Sequence, residues 1–252
     1  MKLKVAIAIE KSLLNLIDNK VGSEFASRSQ AIENLLRKGL QEELITSAVL
    51  LLRGDHQKYS LKKVGEKSLL YFQIGMLRAH GIKNVHIVTQ KSPYTERFLA
   101  EVNLLMKTFK VIIDVHEKNA NGNAQALAAL KDTLSDNFIA MSADLAAEFD
   151  LYGMIKKHIS TEKTATMALM LRDKPERFGN AVMDGDLVVN FVEKPKRATS
   201  YVVNAGIYIL SPRIFSHIRN AVSLEKEVFP KLASSRQLAG HFIKGKYLHI
   251  ES

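Results

Sequence analysis

The 252-residue sequence contains no cysteine. Disulfides, thiolate zinc sites and cysteine nucleophiles are therefore excluded. It also has no apolar run approaching the roughly 20 residues a spanning helix needs and no apolar block of the kind that opens a signal peptide. Low-complexity segments and internal repeats are absent too. What is present is an ordinary globular balance, 46% hydrophobic and 25% charged, which excludes a wholly disordered chain. The expectation is an intracellular, cytoplasmic chain with no membrane partner. Its formal charge is +10, unevenly spread: residues 1–43 carry +1, residues 44–110 carry +7 and residues 111–252 carry +2. A basic excess points to an acidic partner.

Residues 1–43 read as strand, helix, turn, helix. From Lys2 to Ile9 the large apolar residues Leu3, Val5, Ile7 and Ile9 alternate with Lys2, Lys4, Ala6 and Ala8, the period of a strand with one buried face. Leu13, Leu14, Ile17 and Val21 then follow helical spacing, and Gly22 ends that run. Ser27 and Gln30 have capping-box spacing at the start of a second helix striped by Ile32, Leu35, Leu36 and Leu40. So short a block buries little surface alone, and a lone strand needs a partner, so dimerisation is expected.

An outward face of Lys2, Lys4, Ala6 and Ala8 on a two-stranded ribbon fits the major groove of duplex DNA. Ser27, Arg28 and Ser29 at a helix N-terminus suit a phosphate. Order and spacing across the block resemble the ribbon-helix-helix DNA-binding domains of repressors. The resemblance implies base contacts from the exposed strand and a phosphate anchor at the second helix.

From Ser47 onward strands and helices alternate. The pattern gives strands at 47–52, 85–89, 110–115 and 137–141 and helices at 69–80, 95–108 and 124–134, which predicts a mainly parallel sheet. Strands dominate after Thr164, with a hairpin turn at Asp184-Gly185-Asp186. Several motifs lie along this stretch: Val64–Ile74, Leu77–Ile82, Glu193-Lys194-Pro195, Val203–Tyr208 and Ser223–Pro230. Together, over residues 46–252, they resemble the sugar-phosphate nucleotidyltransferases. The resemblance implies a Rossmann-like α/β fold. It also implies a sugar-phosphate site at Gly122, Asn123, Glu193, Lys194, Asn204 and Gly206, with Lys58 the best equivalent of the family's signature lysine (Lys62 or Lys63 also possible).

Two departures bear on activity. The family's glycine-rich phosphate loop is here Arg53-Gly54-Asp55-His56-Gln57-Lys58-Tyr59, with one glycine. Of the two magnesium-holding aspartates, the first is Asp144, while the second position is His249, an imidazole where magnesium prefers oxygen. Lys58, Lys62, Lys63 and Lys67 cluster beside the altered loop and suit an anion pocket or a DNA backbone. These features combine into the expectation of a nucleoid-associated, DNA-binding transcriptional regulator. It pairs a dimeric ribbon-helix-helix unit (1–43) with a catalytically inactive transferase-like domain (46–252). That domain would take a sugar-phosphate or nucleotide-type ligand or drive oligomerisation. No cofactor is expected, magnesium only with residual transferase activity. The alternatives are an active sugar-phosphate nucleotidyltransferase and a structural protein that bridges or coats DNA.

Overall fold

The computed structural model describes residues 6–22, 25, 27–39, 45–52, 56–142 and 144–249. The chain divides into two units, Met1–Leu44 and Ile45–Ser252. In the first, α1 (Lys11–Asp18) and α2 (Arg28–Gly39) pack on each other. Ile17 and Ala31 are buried, whereas Leu13, Leu16 and Leu36 are exposed. Ala6–Ile9, the described part of the expected first strand, form no strand. A strand needs a partner for its backbone groups, and nothing among the described residues pairs with this segment. The described part of this unit is thus a helix pair without a ribbon. Lys2 and Lys4 lie outside the described residues.

The second unit opens with β1 (Ser47–Leu51), α3 (Gln57–Ser60) and the hairpin β2 (Lys63–Val64) and β3 (Lys67–Ser68). There follow α4 (Leu69–Ala79), β4 (Asn84–Thr89), α5 (Thr95–Phe109), β5 (Ile112–Glu117), α6 (Asn123–Ala128), β6 (Phe138–Ser142) and β7 (Leu145–Phe149). The remainder is α7 (Leu151–Thr161), β8 (Ala165–Leu171), β9 (Gly179–Asp184), β10 (Leu187–Glu193), β11 (Val202–Leu210), α8 (Ile214–His217), α9 (Phe229–Ser234), β12 (Leu238–Phe242) and β13 (Gly245–His249).

Nine strands form one sheet in the order β5-β4-β1-β6-β11-β8-β12-β10-β9. The first four are parallel to one another, and β11 then runs antiparallel to both β6 and β8. The expected mainly parallel sheet therefore holds for one half of the molecule; the other half is antiparallel apart from the β12–β8 pair. Strand β1 lies centrally and its three middle residues are buried, with Ala48 and Leu50 in one core and Val49 in the other. That two-sided burial is why it reads as an unbroken apolar run.

The chain moves outward from β1 to β4 and β5, then returns to β6 on the other flank of β1. This reversal opens a crevice at the carboxyl ends of the strands, where open α/β sheets bind ligands.

Candidate active site

A cavity of about 580 Å³ occupies that crevice. The ends of β1 (Leu51, Leu52), β4 (Val88, Thr89) and β6 (Ser142) form its floor, Gly122 and Asn123 enter with α6, and the segment Val222–Glu227 closes another side. Its charged lining comprises Lys118, Asp144, Glu225, Lys226 and Glu227.

The polar wall is internally braced. Asn123 donates through Nδ2 to both oxygens of Glu225, at 2.9 and 2.8 Å, and its Oδ1 accepts from the Leu224 amide at 2.9 Å. Glu225 also accepts from the Ser223 hydroxyl and from the Tyr208 phenol, both at 3.1 Å. The Tyr208 oxygen in turn accepts from Asn204 Nδ2 at 2.7 Å, and Asn204 Oδ1 accepts from the Gly206 amide at 2.8 Å. Burial, followed by the charge of Glu225, holds the Tyr208 phenol well above its ordinary range, so it keeps its proton and remains a donor. Burial, again followed by Glu225, also raises the Glu193 carboxyl. The network fixes polar groups without waiting for a ligand, which lowers the ordering cost of binding.

Two glycines are required by geometry. Gly206 has φ +73° and sits in the bulge where β11 shifts register against β8 between Asn204 and Tyr208. A Cβ on Gly122 would lie 2.2 Å from the Val222 carbonyl oxygen, so this glycine allows the two backbones to touch.

The structure brings Gly122, Asn123 and Asp144 into the cavity lining. Asn204 and Gly206 stand behind it as braces. Glu193 is half-buried, and Lys194 beside it is exposed, with φ +44°. Lys58 does not line the cavity: it is exposed, with its ammonium 4.9 Å from the centre of the Tyr59 ring. Lys62, Lys63 and Lys67 are likewise exposed and absent from the lining. The lysines of this cavity are Lys118 and Lys226, whereas Lys63 and Lys67 line a separate cavity of about 610 Å³ with Arg97, Glu66 and Glu101. Tyr208, Glu225 and Lys226 lie inside the quoted motifs, but no chemistry in the sequence marked them as ligating. Ser142 and Lys118 carry no motif at all.

Asp144 Oδ1 accepts from the Ser142 hydroxyl at 2.5 Å. In the β13–β7 ladder His249 stands opposite Leu145, one residue beyond Asp144, and the His249 side chain lies outside the described residues. Among the described residues no three His, Asp or Glu side chains gather as a metal cage. Magnesium seldom needs one: it takes one or two carboxylates, waters and substrate phosphates. The Asp144 carboxylate in a cavity with a neighbouring hydroxyl fits that donor set.

At the N-terminal unit, the guanidinium of Arg28 is engaged by Asp18, with Nε and Nη2 each 2.7 Å from a carboxylate oxygen. The pairing raises Arg28 and lowers Asp18. The Ser27 hydroxyl accepts from the Gln30 amide at 3.3 Å, and Ser29 is exposed within α2. Ala6 and Ala8 are exposed in a segment without strand pairing. Two of the groups expected to clamp a DNA phosphate, Ser27 and Arg28, thus make contacts within this unit itself.

A mixed sheet with a polar, carboxylate-bearing crevice at its switch point is an α/β architecture with its ligand site where open sheets place one. Residues 55–247 match the family model described as Nucleotidyl transferase, and the chain belongs to that family. It is 30% identical over 191 residues to the mannose-1-phosphate guanylyltransferase catalytic subunit beta of Danio rerio, covering 73% of this chain and 52% of that one. It is 31% identical over 195 residues to the probable mannose-1-phosphate guanylyltransferase 3 of Arabidopsis thaliana, covering 74% and 58%. The chain thus spans about half the length of the curated relatives it matches. A putative glucose-1-phosphate thymidylyltransferase from Bacillus anthracis, solved with sucrose, shares the fold with a TM-score of 0.69 at 21% identity, over 81% of this chain and 89% of that one. UDP-glucose pyrophosphorylase complexed with UDP-glucose does so with a TM-score of 0.67 at 16% identity, over 81% and 92%.

These relatives overturn the expectation of a DNA-binding regulator with an inactive transferase-like domain. The curated relatives are named mannose-1-phosphate guanylyltransferases, and neither name describes a transcription factor.

Proposed function

We propose that this protein transfers a nucleotidyl group from a nucleoside triphosphate to a sugar 1-phosphate. An oxygen of the sugar phosphate attacks the α-phosphorus. The bond from that phosphorus to the β-phosphate bridging oxygen breaks, and pyrophosphate leaves with the electron pair. The reaction is positioning and charge neutralisation more than covalent work by the protein.

The carrying observation is the braced Asn123–Glu225–Tyr208–Asn204 wall sharing one cavity with Asp144. Hydroxyl-rich sugars need fixed polar partners, and Glu225 is a carboxylate acceptor that Asn123, Ser223 and Tyr208 hold in place. Lys118 and Lys226 offer positive charge to phosphates. Asp144 would hold magnesium, whose contribution is to neutralise phosphate charge. The names of the relatives make GTP and mannose 1-phosphate the first pair to examine.

Isothermal titration of the full chain with mannose 1-phosphate and with GDP-mannose tests the site. Binding of at least one is expected, weakened about tenfold or more by Asn123→Ala or Glu225→Ala, the size of one or two lost polar contacts. Absence of binding by these and by other sugar 1-phosphates and nucleotide sugars would overturn the reading.

A further inference from the structure

Gln73 lies in α4 and is 1% exposed. Its single amide nitrogen donates twice, to the Ser142 carbonyl at 3.0 Å and to the Leu145 carbonyl at 2.6 Å. These carbonyls flank Asp144 on either side. The amide orientation is set by chemistry, because an oxygen in the nitrogen's place would face two acceptors. The remaining atom, Gln73 Oε1, is buried and has no hydrogen-bond partner.

An unpartnered buried acceptor costs folding stability. A core helix facing β7 would be served more cheaply by Leu or Met, and α4 does carry Leu70, Ile74 and Leu77 in the same core. The sequence instead places here a side chain whose one asset is a nitrogen with two protons. Both protons are spent on the segment that presents Asp144. Within that segment the Ser142 hydroxyl holds Asp144 Oδ1. Backbone and carboxylate are thereby fixed from two directions, one by Gln73 and one by Ser142.

We propose that Gln73 is a positioning residue: it clamps the Ser142–Leu145 segment so that the Asp144 carboxylate is held ready for a divalent cation. This deepens the functional reading above and rests on its assignment of Asp144. Outer-shell partners that orient a metal-bound carboxylate commonly change affinity by about 10–100-fold when removed.

Manganese is a suitable probe, because the electron-spin-resonance signal of free Mn2+ is lost on binding. The full chain is titrated with Mn2+, with and without a nucleoside triphosphate, as wild type, Asp144→Ala, Gln73→Met and Ile74→Val. Gln73→Met keeps the length of the side chain and removes its donors. Ile74→Val trims a neighbouring buried residue of the same helix and serves as the structural control.

Wild-type binding is expected, lost in Asp144→Ala and weakened about tenfold in Gln73→Met. Ile74→Val should bind as wild type, whatever its melting temperature. Wild-type affinity in Gln73→Met would overturn the proposal, as would equal weakening by Ile74→Val, an ineffective Asp144→Ala, or a wild type that binds no Mn2+ under either condition. If manganese binding follows the expected order but no sugar phosphate is converted, the transferase reading fails and the role of Gln73 stands.

Discussion

At Gly122 one methyl group has a large predicted consequence. Its Cβ would overlap the Val222 carbonyl oxygen, whose residue precedes the Ser223–Glu225 wall. Gly122→Ala must push that wall outward and should cut sugar-phosphate affinity about tenfold or more, while a thermal melt shows a fold still formed. Unchanged affinity would mean the wall does not hold the ligand. Glu193 gives a pH prediction. Burial and then Glu225 raise its carboxyl above the ordinary 4.5, so the folded state binds the proton more tightly than the unfolded state does. Stability from this group therefore falls as pH rises above 4.5, and Glu193→Gln should flatten that part of a urea-melt series. At this scale the ordered motifs pointed to residues that the fold brings to the crevice, with Asn123 and Asp144 in the cavity lining and Asn204 behind it. The sequence misled at Arg28, because a helix-start cation looks the same whether it meets a phosphate or, as here, Asp18 ten residues earlier. Lys58 misled for a related reason. Proximity along the chain placed it near the altered loop, but its ammonium turned outward over Tyr59.

Among the elements, periodicity located strands and helices well where the sheet is regular: β1, α4, β4 and α5 fall within a residue or so of their expected limits. Helix α6 ends at Ala128, short of the expected 134, because isolated turns continue the apolar spacing without the helix. Strand β13 had been seen only as a metal motif, and its pairing with β7 depends on partners about a hundred residues apart, which local pattern does not encode. Helix α7 carries a second pH prediction. His158 is buried on it, with Nδ1 2.8 Å from the Thr166 hydroxyl of β8. Burial, then the Arg213 charge, lowers its pKa from 6.5 to about 4. The unfolded chain takes up a proton at this residue before the folded one does, so stability should fall as pH drops from 6.5 toward 4, by about 3 kcal/mol in all. Chemical denaturation across that range should show the slope, and His158→Gln should abolish most of it.

Across the second unit, the +7 of residues 44–110 does not enter the candidate site: Lys63 and Lys67 line a separate cavity of about 610 Å³ together with Arg97, Glu66 and Glu101. Lys58, Lys62, Lys63 and Lys67 are exposed and outside the lining of the candidate site. The net charge suggested nucleic acid; the match over residues 55–247 places the chain in the Nucleotidyl transferase family instead. Among the described residues no helix is long and apolar enough to cross a membrane. The central claim is nucleotidyl transfer, and its direct test is pyrophosphate release. The full chain is incubated with magnesium, each of the four nucleoside triphosphates and a panel of sugar 1-phosphates that includes mannose 1-phosphate. Pyrophosphate and a nucleotide sugar should appear in equal amounts for at least one pair, and Asp144→Ala should lower the rate at least about a hundredfold. No nucleotide sugar from any pair, or an Asp144→Ala rate equal to wild type, would contradict the account.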